Sequence, residues 1–275
     1  MKRIVYLSAD VAKPAGGVRT MFQHVASLRA MGWDAVVAQA QARTPDWFEH
    51  AVPVISDFDT GDVAVVPEVG LPFAKDLRHL PEMRKVLFCQ NHFFAFRGMG
   101  DGEGWRDFDI REAFACSRVT ARAVADCFGF DSVPVVRCVV DATLFQPRPK
   151  RLQVAFMPRK RPADAEMVRQ FLIRLNPQTR QVPWVAIDGR RERDVAAILG
   201  ESAVFLALGR HEGLGLPPLE AMAAECAVAG WPACGGAEYA TAENGFWAAE
   251  DDPLDCARAL AQAIDAAAAG GPALR

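Results

Sequence analysis

Two glutamates, Glu212 and Glu220, stand eight positions apart around Gly213-Leu-Gly-Leu-Pro-Pro-Leu219. Directly upstream runs Val204-Phe-Leu-Ala-Leu208, an apolar segment with the length and composition of a buried strand. Gly213 and Gly215 keep side chains away from the backbone, so amide N–H groups can approach a ligand closely. Pro217 and Pro218 mark a helix start, where a missing N–H costs nothing. A strand–loop–helix of this kind aims the positive end of a helix at whatever lies beyond the strand, and a phosphate is the natural guest. Glu212 is expected at the strand end and Glu220 in the first helical turn, each able to accept hydrogen bonds from hydroxyls. A phosphate cradle flanked by two hydroxyl acceptors suits a nucleotide-sugar. On spacing alone, a capped helix with two solvated glutamates fits equally well.

The elements that must hold these residues follow from the hydrophobic periodicity, which alternates strand and helix in the manner of doubly wound α/β domains. Strands are expected at Ile4 to Ser8, Asp34 to Ala38, Val63 to Pro67, Val86 to Gln90, Ala113 to Cys116 and Val133 to Val140. A helix that follows Gly17 and is ended by Gly32 carries Val18, Phe22, Val25, Ala26 and Leu28 at helical spacing, and another spans Val119 to Phe128. Gln146-Pro-Arg-Pro-Lys-Arg151 reads as a linker. A second series then runs through the strand Leu152 to Met157, the helix Ala163 to Leu175, the strand Trp184 to Ile187 and the helix Arg193 to Leu199. The strand and helix of the glutamate motif follow, then the strand Cys226 to Ala229 and a last helix from Pro253 to Ala269.

The segment Glu212-Gly-Leu-Gly-Leu-Pro-Pro-Leu-Glu220-Ala-Met-Ala resembles the E-x7-E signature of retaining, nucleotide-sugar-dependent glycosyltransferases of family 4. Those enzymes have the GT-B fold, an α/β architecture of two Rossmann-like domains facing a central cleft. Other segments resemble the family in order. Phe114-Ala-Cys-Ser117 with the helix after it is one, and Val135-Val-Arg-Cys-Val-Val-Asp141 through Pro147 is another, with Arg137-Cys138 where Asn-Gly is usual. Gly235-Gly-Ala-Glu238 and Asn244-Gly-Phe246 complete the series. The resemblance implies an N-terminal domain over residues 1–147 that meets the acceptor and a C-terminal domain over residues 148–275 that holds the donor. It also implies that Glu212 meets the donor sugar and Glu220 the ribose, while Gly213, Leu214, Gly215 and Leu216 line the nucleotide. The chain is shorter than is usual in the family, mostly in its N-terminal half.

Further candidates lie at other strand ends, where open α/β sheets bind their ligands. Gly16 and Gly17 form a turn between the first strand and helix; the resemblance puts that loop near the donor phosphates and the acceptor. The turn lacks the G-x-G-x-x-G spacing, and no acid ends the second strand, so a dinucleotide site is disfavoured. Cys89-Gln-Asn-His92 ends a buried strand with three polar side chains, and a lone histidine there also reads as a packed, hydrogen-bonded residue. The resemblance implies that His92 faces the reacting sugar, and Gln90 and Asn91 are the alternatives for the cleft. Met157-Pro-Arg159-Lys160-Arg161 stands where the family has Gly-Arg followed by a lysine, cations that neutralise the departing diphosphate. Arg159 matches the arginine, the lysine position falls near Asp164, and either Lys160 or Arg161 takes the lysine's place. The same three cations also read as a solvated loop.

Composition sets the outer bounds. The chain has 275 residues, 51% of them hydrophobic, a formal net charge of −3 and seven cysteines. The charge argues against nucleic acid as a partner. The cysteines show neither a CxxC pair nor a metal-ligand spacing, and read as reduced core thiols. No apolar run is long enough to span a bilayer, and Met1-Lys-Arg leads straight into the first strand without a leader-like segment. These features fit a cytoplasmic protein, with the inner membrane face as a second setting. Phe93, Phe94, Phe96 and Trp105 either meet a lipid-linked acceptor by peripheral membrane contact or simply pack. The expected activity is retaining sugar transfer from a nucleotide-sugar donor to a glycan, lipid-linked or small-molecule acceptor in cell-surface polysaccharide or glycoconjugate synthesis. No metal and no cofactor beyond the nucleotide diphosphate-sugar substrate are expected. The resemblance implies a same-face mechanism in which the leaving phosphate takes the acceptor proton. The alternatives are a non-catalytic nucleotide-binding or partner subunit and a nucleotide-sugar epimerase on the same fold.

Overall fold

Strands in this protein are short apolar runs buried on both faces, which is the pattern of parallel sheets covered by helices. In the computed structural model, residues 2–10 and 13–270 are described. The chain divides at Val139/Val140 into two compact units.

The first unit contains β1 (Ile4–Leu7), α1 (Gly16–Ala30), β2 (Ala35–Ala38), β3 (Val54–Ile55) and β4 (Val63–Pro67). It continues with α2 (Leu71–Leu77), β5 (Arg84–Cys89), β6 (Glu112–Ala115) and α3 (Arg118–Phe128). The strands form one parallel sheet in the order β3-β2-β1-β4-β5-β6. β1 therefore lies between β2 and β4, and strand order reverses there. Its core includes Val5, Leu7, Val66, Leu87, Trp105 and Phe108. Trp105 is fully buried, so of the four aromatics expected at an acceptor surface or in the core, this one packs. Phe93 and Phe96 are exposed.

The expected strand from Val133 to Val140 is not formed; it shrinks to one isolated bridge between Ala115 and Val135. The bridge is bounded by Val136 N–H donating to Ala115 and by Ala115 N–H donating to Pro134. Pro134 has no N–H to carry the ladder backward. In the other direction Ser117 already turns away as the N-cap of α3, accepting from the Thr120 N–H at 3.1 Å. Hydrophobicity alone did not reveal these two stops.

The second unit contains β7 (Arg151–Phe156), α4 (Pro162–Leu175), β8 (Trp184–Ala186), α5 (Glu192–Glu201) and β9 (Ser202–Leu208). After these come α6 (Leu216–Ala223), β10 (Ala227–Trp231), β11 (Phe246–Trp247) and α7 (Pro253–Ala268). The parallel order is β11-β10-β9-β7-β8, so strand order reverses between β7 and β9. Lys150, just before β7, donates from Nζ to the carbonyls of Leu199 and Ser202 at 3.2 and 3.0 Å and to that of Ala224. One ammonium thus gathers carbonyls at the C-terminal ends of α5 and α6, where helix geometry leaves backbone acceptors open. Among the described residues, no helix is long and apolar enough to cross a membrane.

Candidate functional site

In open parallel sheets, ligands bind beyond the carboxyl ends of the strands where strand order reverses. In the second unit that point lies between β7 and β9. The loop after β7 carries Arg159 and Lys160 in a short 3-10 turn, Pro158–Lys160. The loop after β9 carries Glu212, four residues beyond the strand end at Leu208. The fold thus brings the cations and the first glutamate to the same strand ends. Lys160 Nζ lies 2.6 Å from Glu212 Oε1, with both side chains less than a quarter exposed, and also donates to the Arg210 carbonyl at 3.3 Å. Arg159, Lys160, Glu212, Gly215, Pro217 and Tyr239 are among the walls of a cavity of about 70 Å³.

The Glu212 loop is held in place from β10. Glu212 N–H donates to the Ala233 carbonyl at 3.1 Å and Gly235 N–H to the Glu212 carbonyl at 3.0 Å, an isolated parallel bridge between two loops. Only glycine suits position 235, because a Cβ there would overlap the Gly213 carbonyl. Gly215, the N-cap of α6, sits at φ 86° in the left-handed region, where glycine carries no steric cost. Tyr239 Oη donates to the Gly215 carbonyl at 2.7 Å, and burial pushes its phenol up, so it remains a donor. His211, Ala233 and Cys234 also have positive φ. Non-glycine residues in that region cost free energy and persist where the surroundings hold them.

The structure separates the three adjacent cations. Arg159 is exposed and lines the cavity. Arg161 is 4% exposed and fully used within the unit. Its guanidinium donates to the Gly209 carbonyl at 2.9 Å, pairs with Asp164, Asp251 and Glu250 at 3.1, 2.6 and 3.2 Å, and stacks on Trp231 at 4.3 Å. Of the two residues able to take the place of the displaced lysine, Lys160 therefore faces the site and Arg161 ties β7's loop to the core.

Glu220 is the fifth residue of α6, one turn later than expected, and is 4% exposed. Gly213, Leu214, Leu216 and Glu220 are not walls of the cavity, whereas Gly215 is. Pro217 and Pro218 occupy the second and third helical positions and carry no N–H. Any amide donors at this helix start must come from Leu216 and the loop before it, while the peptide dipoles of the helix remain.

In the first unit, Gly16 and Gly17 do not form a turn. They begin α1 with ordinary negative φ. Glycine matters at position 17 for proximity: a Cβ would lie 3.3 Å from Gln90 Nε2, which donates to the Gly17 carbonyl at 3.1 Å. His92, just after β5, opens a 3-10 turn capped by Asn91, whose side chain accepts from the Phe93 N–H at 3.1 Å. His92 Nδ1 is 3.2 Å from Thr120 Oγ1 of α3, and burial holds its pKa below the ordinary histidine value. The structure thus brings Gly17, Gln90 and His92 to one sheet edge, where the first unit's strand order reverses.

Glu68 stands at the same edge, directly after β4, and sequence reasoning passed over it. The available signal was an acid immediately following an apolar strand. Seven cysteines are unpaired; Cys127 and Cys234 are exposed, against the expectation that all are core thiols. Among the described residues, no three His, Cys, Asp or Glu side chains form a metal-binding group.

Residues 157–266, which include both cations, both glutamates and the loop that holds them, match the family model described as glycosyl transferases group 1. That match lies within the second unit. Over 266 residues, the chain is 25% identical to an α-1,6-glucosyltransferase of Actinobacillus pleuropneumoniae serotype 7 (strain AP76), covering 91% of this chain and 80% of the relative. Among solved structures, it is similar to sucrose-phosphate synthase from Thermosynechococcus elongatus, with TM-score 0.72, 12% identity, and coverage of 98% of this chain and 91% of that one. It is also similar to Anabaena HepE in complex with UDP and glucose, with TM-score 0.61, 13% identity, and coverage of 98% and 94%. The parallel α/β fold matches GT-B glycosyltransferase structures, and the protein is a glycosyltransferase.

Proposed function

We propose that this glycosyltransferase moves a glucosyl or related hexosyl group from a uridine diphosphate sugar, with retention and without a metal ion, in the synthesis of a cell-surface polysaccharide or glycoconjugate. The observation that carries the reading is the pairing of Lys160 with Glu212 beside Arg159 at the β7/β9 switch point. The glucosyltransferase relative and the HepE complex with UDP and glucose support the choice of donor.

The residues act as follows in this reading. Donor binding splits the Lys160–Glu212 pair: Lys160 and Arg159 turn to the diphosphate, and Glu212 accepts from a sugar hydroxyl. Gly213 to Leu216 follow the nucleotide, and Glu220 binds the ribose. Charge on the leaving diphosphate grows toward the transition state, so fixed cations placed there lower the barrier more than they tighten ground-state binding. The first unit meets the acceptor, a glycan, lipid-linked or small-molecule hydroxyl, and Gly16, Gly17 and His92 are its residues of the reaction. The departing phosphate oxygen takes the acceptor proton on the same face.

Titration calorimetry of the whole protein with UDP, UDP-glucose, GDP and ADP tests the donor assignment. Saturable binding of UDP and UDP-glucose above the other nucleotides is expected. Absence of binding to any of the four would overturn it.

A further inference from the structure

The sheet edge of the first unit contains a buried acid with no place in the reaction described above. Glu68 follows β4 directly and is 5% exposed. It stands across the strand-order reversal from the start of α1. Its Oε2 accepts from the Gln90 N–H at 3.1 Å, the Asn91 amide also favours its charged form, and its own N–H donates to the Phe88 carbonyl at 3.2 Å. Gln90 and Asn91 supply the two amides immediately before His92.

The same turn is gripped from three further sides. Gln90 Nε2 holds the Gly17 carbonyl of α1 at 3.1 Å, the Cys116 thiol donates to the Gln90 carbonyl at 3.0 Å, and His92 meets Thr120 at 3.2 Å. The hydrogen bonds to Gly17 of α1, Cys116 just after β6 and Thr120 of α3 thus converge on the turn whose backbone Glu68 holds at Gln90.

We propose that Glu68 is a positioning residue for the His92 turn, and that gain or loss of its proton changes the geometry of that turn. The inference rests on the reading of His92 as a residue of the reaction. As a carboxylate, Glu68 accepts from Gln90 and Asn91 together; as the neutral acid it keeps one acceptor of full strength and must place a proton. Burial raises its pKa to about 7, against the Gln90 and Asn91 amides that favour the charged form. The titratable groups that interact with it are thiols: Cys89 at the end of β5 and Cys138 on the segment beyond β6. Cys138 is in turn influenced by Cys116 and by Arg19 of α1.

The test is an amide and imidazole NMR titration of the full chain between about pH 5.5 and 8.5. The Gln90 and Asn91 N–H signals should move together with a midpoint near 7, and the His92 ring signals should show the same inflection in addition to their own. In Glu68→Gln that shared inflection should vanish, and the pH profile of kcat for UDP-glucose turnover should lose one limb while KM changes less than twofold. If the wild-type amides show no inflection between about pH 6 and 8, or if it persists in Glu68→Gln, the proposal is wrong. The wild-type titration decides even if the variant folds poorly. His92→Gln separates the two readings: unchanged turnover with the amides still titrating overturns the role of His92, and leaves Glu68 as the residue that positions the turn.

Discussion

Replacing Lys160 by methionine tests the donor site most sharply, because this ammonium pairs with Glu212 in the free protein and, in the proposed reaction, with the diphosphate when donor binds. In the free protein it sits 2.6 Å from Glu212, with side-chain exposures of 24% and 21%. Exposed pairs contribute about 0–1 kcal/mol, and breaking a fully buried pair costs about 3–5 kcal/mol. A pair still in contact with water falls near the low end, so a double-mutant cycle with Glu212→Gln should give a coupling of about 1 kcal/mol in urea unfolding. Toward UDP the lysine contributes a charge-assisted hydrogen bond of about 1.5–3 kcal/mol, so Lys160→Met should weaken UDP binding by about 10- to 150-fold. Glu212→Gln should behave oppositely. It releases Lys160 from a competing partner, so UDP affinity should stay level or rise severalfold, while affinity for UDP-glucose falls relative to UDP. Calorimetry on the four proteins reads the affinities, and their urea unfolding reads the coupling. UDP affinity within twofold of wild type in Lys160→Met would refute the reasoning, as would equal losses of UDP affinity in both single variants.

Arg159→Ala should slow transfer more than it weakens donor binding, and excess chelator should leave activity intact; activity lost with chelator and restored by magnesium or manganese would contradict the role given to the two cations. Glu220→Ala should weaken UDP binding by the equivalent of about 1.5–3 kcal/mol through the ribose; unchanged calorimetric affinity would remove Glu220 from the site. His24 packs against Phe88, with ring centroids 4.8 Å apart, and burial lowers its pKa to about 4. The folded protein therefore resists protonating it, and stability should fall by up to roughly 3 kcal/mol as pH drops from about 6.5 to 4. Glu68, raised to about 7, has the opposite sign: its contribution is fully present below about 4.5 and lost as pH rises through 7. Because the two windows overlap, wild-type stability should look flat there, while unfolding curves of His24→Leu and Glu68→Gln should slope in opposite directions.

The glutamate loop was legible because its determinants are local. An apolar strand, two glycines and two prolines dictate a strand–loop–helix without help from distant residues, and β9 and α6 lie there. The division of labour among Arg159, Lys160 and Arg161 was not legible. Three adjacent cations have the same local signature, and the fold alone decides that the third meets Asp164, Glu250, Asp251 and Trp231. Glu68 escaped notice for a related reason: its partners are backbone amides on the neighbouring strand, and a backbone donor leaves no mark on the sequence. The missing strand after Val133 shows the converse error. Hydrophobicity favoured pairing, but Pro134 lacks the donor and Ser117 caps a helix at the point where the ladder would continue.

The central claim, retaining transfer from a UDP-sugar by fixed cations, is tested most directly by following the reaction by proton NMR in excess chelator. With UDP-α-glucose and an acceptor that supports turnover, the account predicts UDP release together with a new anomeric signal showing the small coupling of an α-glycosidic bond. A β-linked product, or turnover that appears only when a divalent metal is added back, would contradict it.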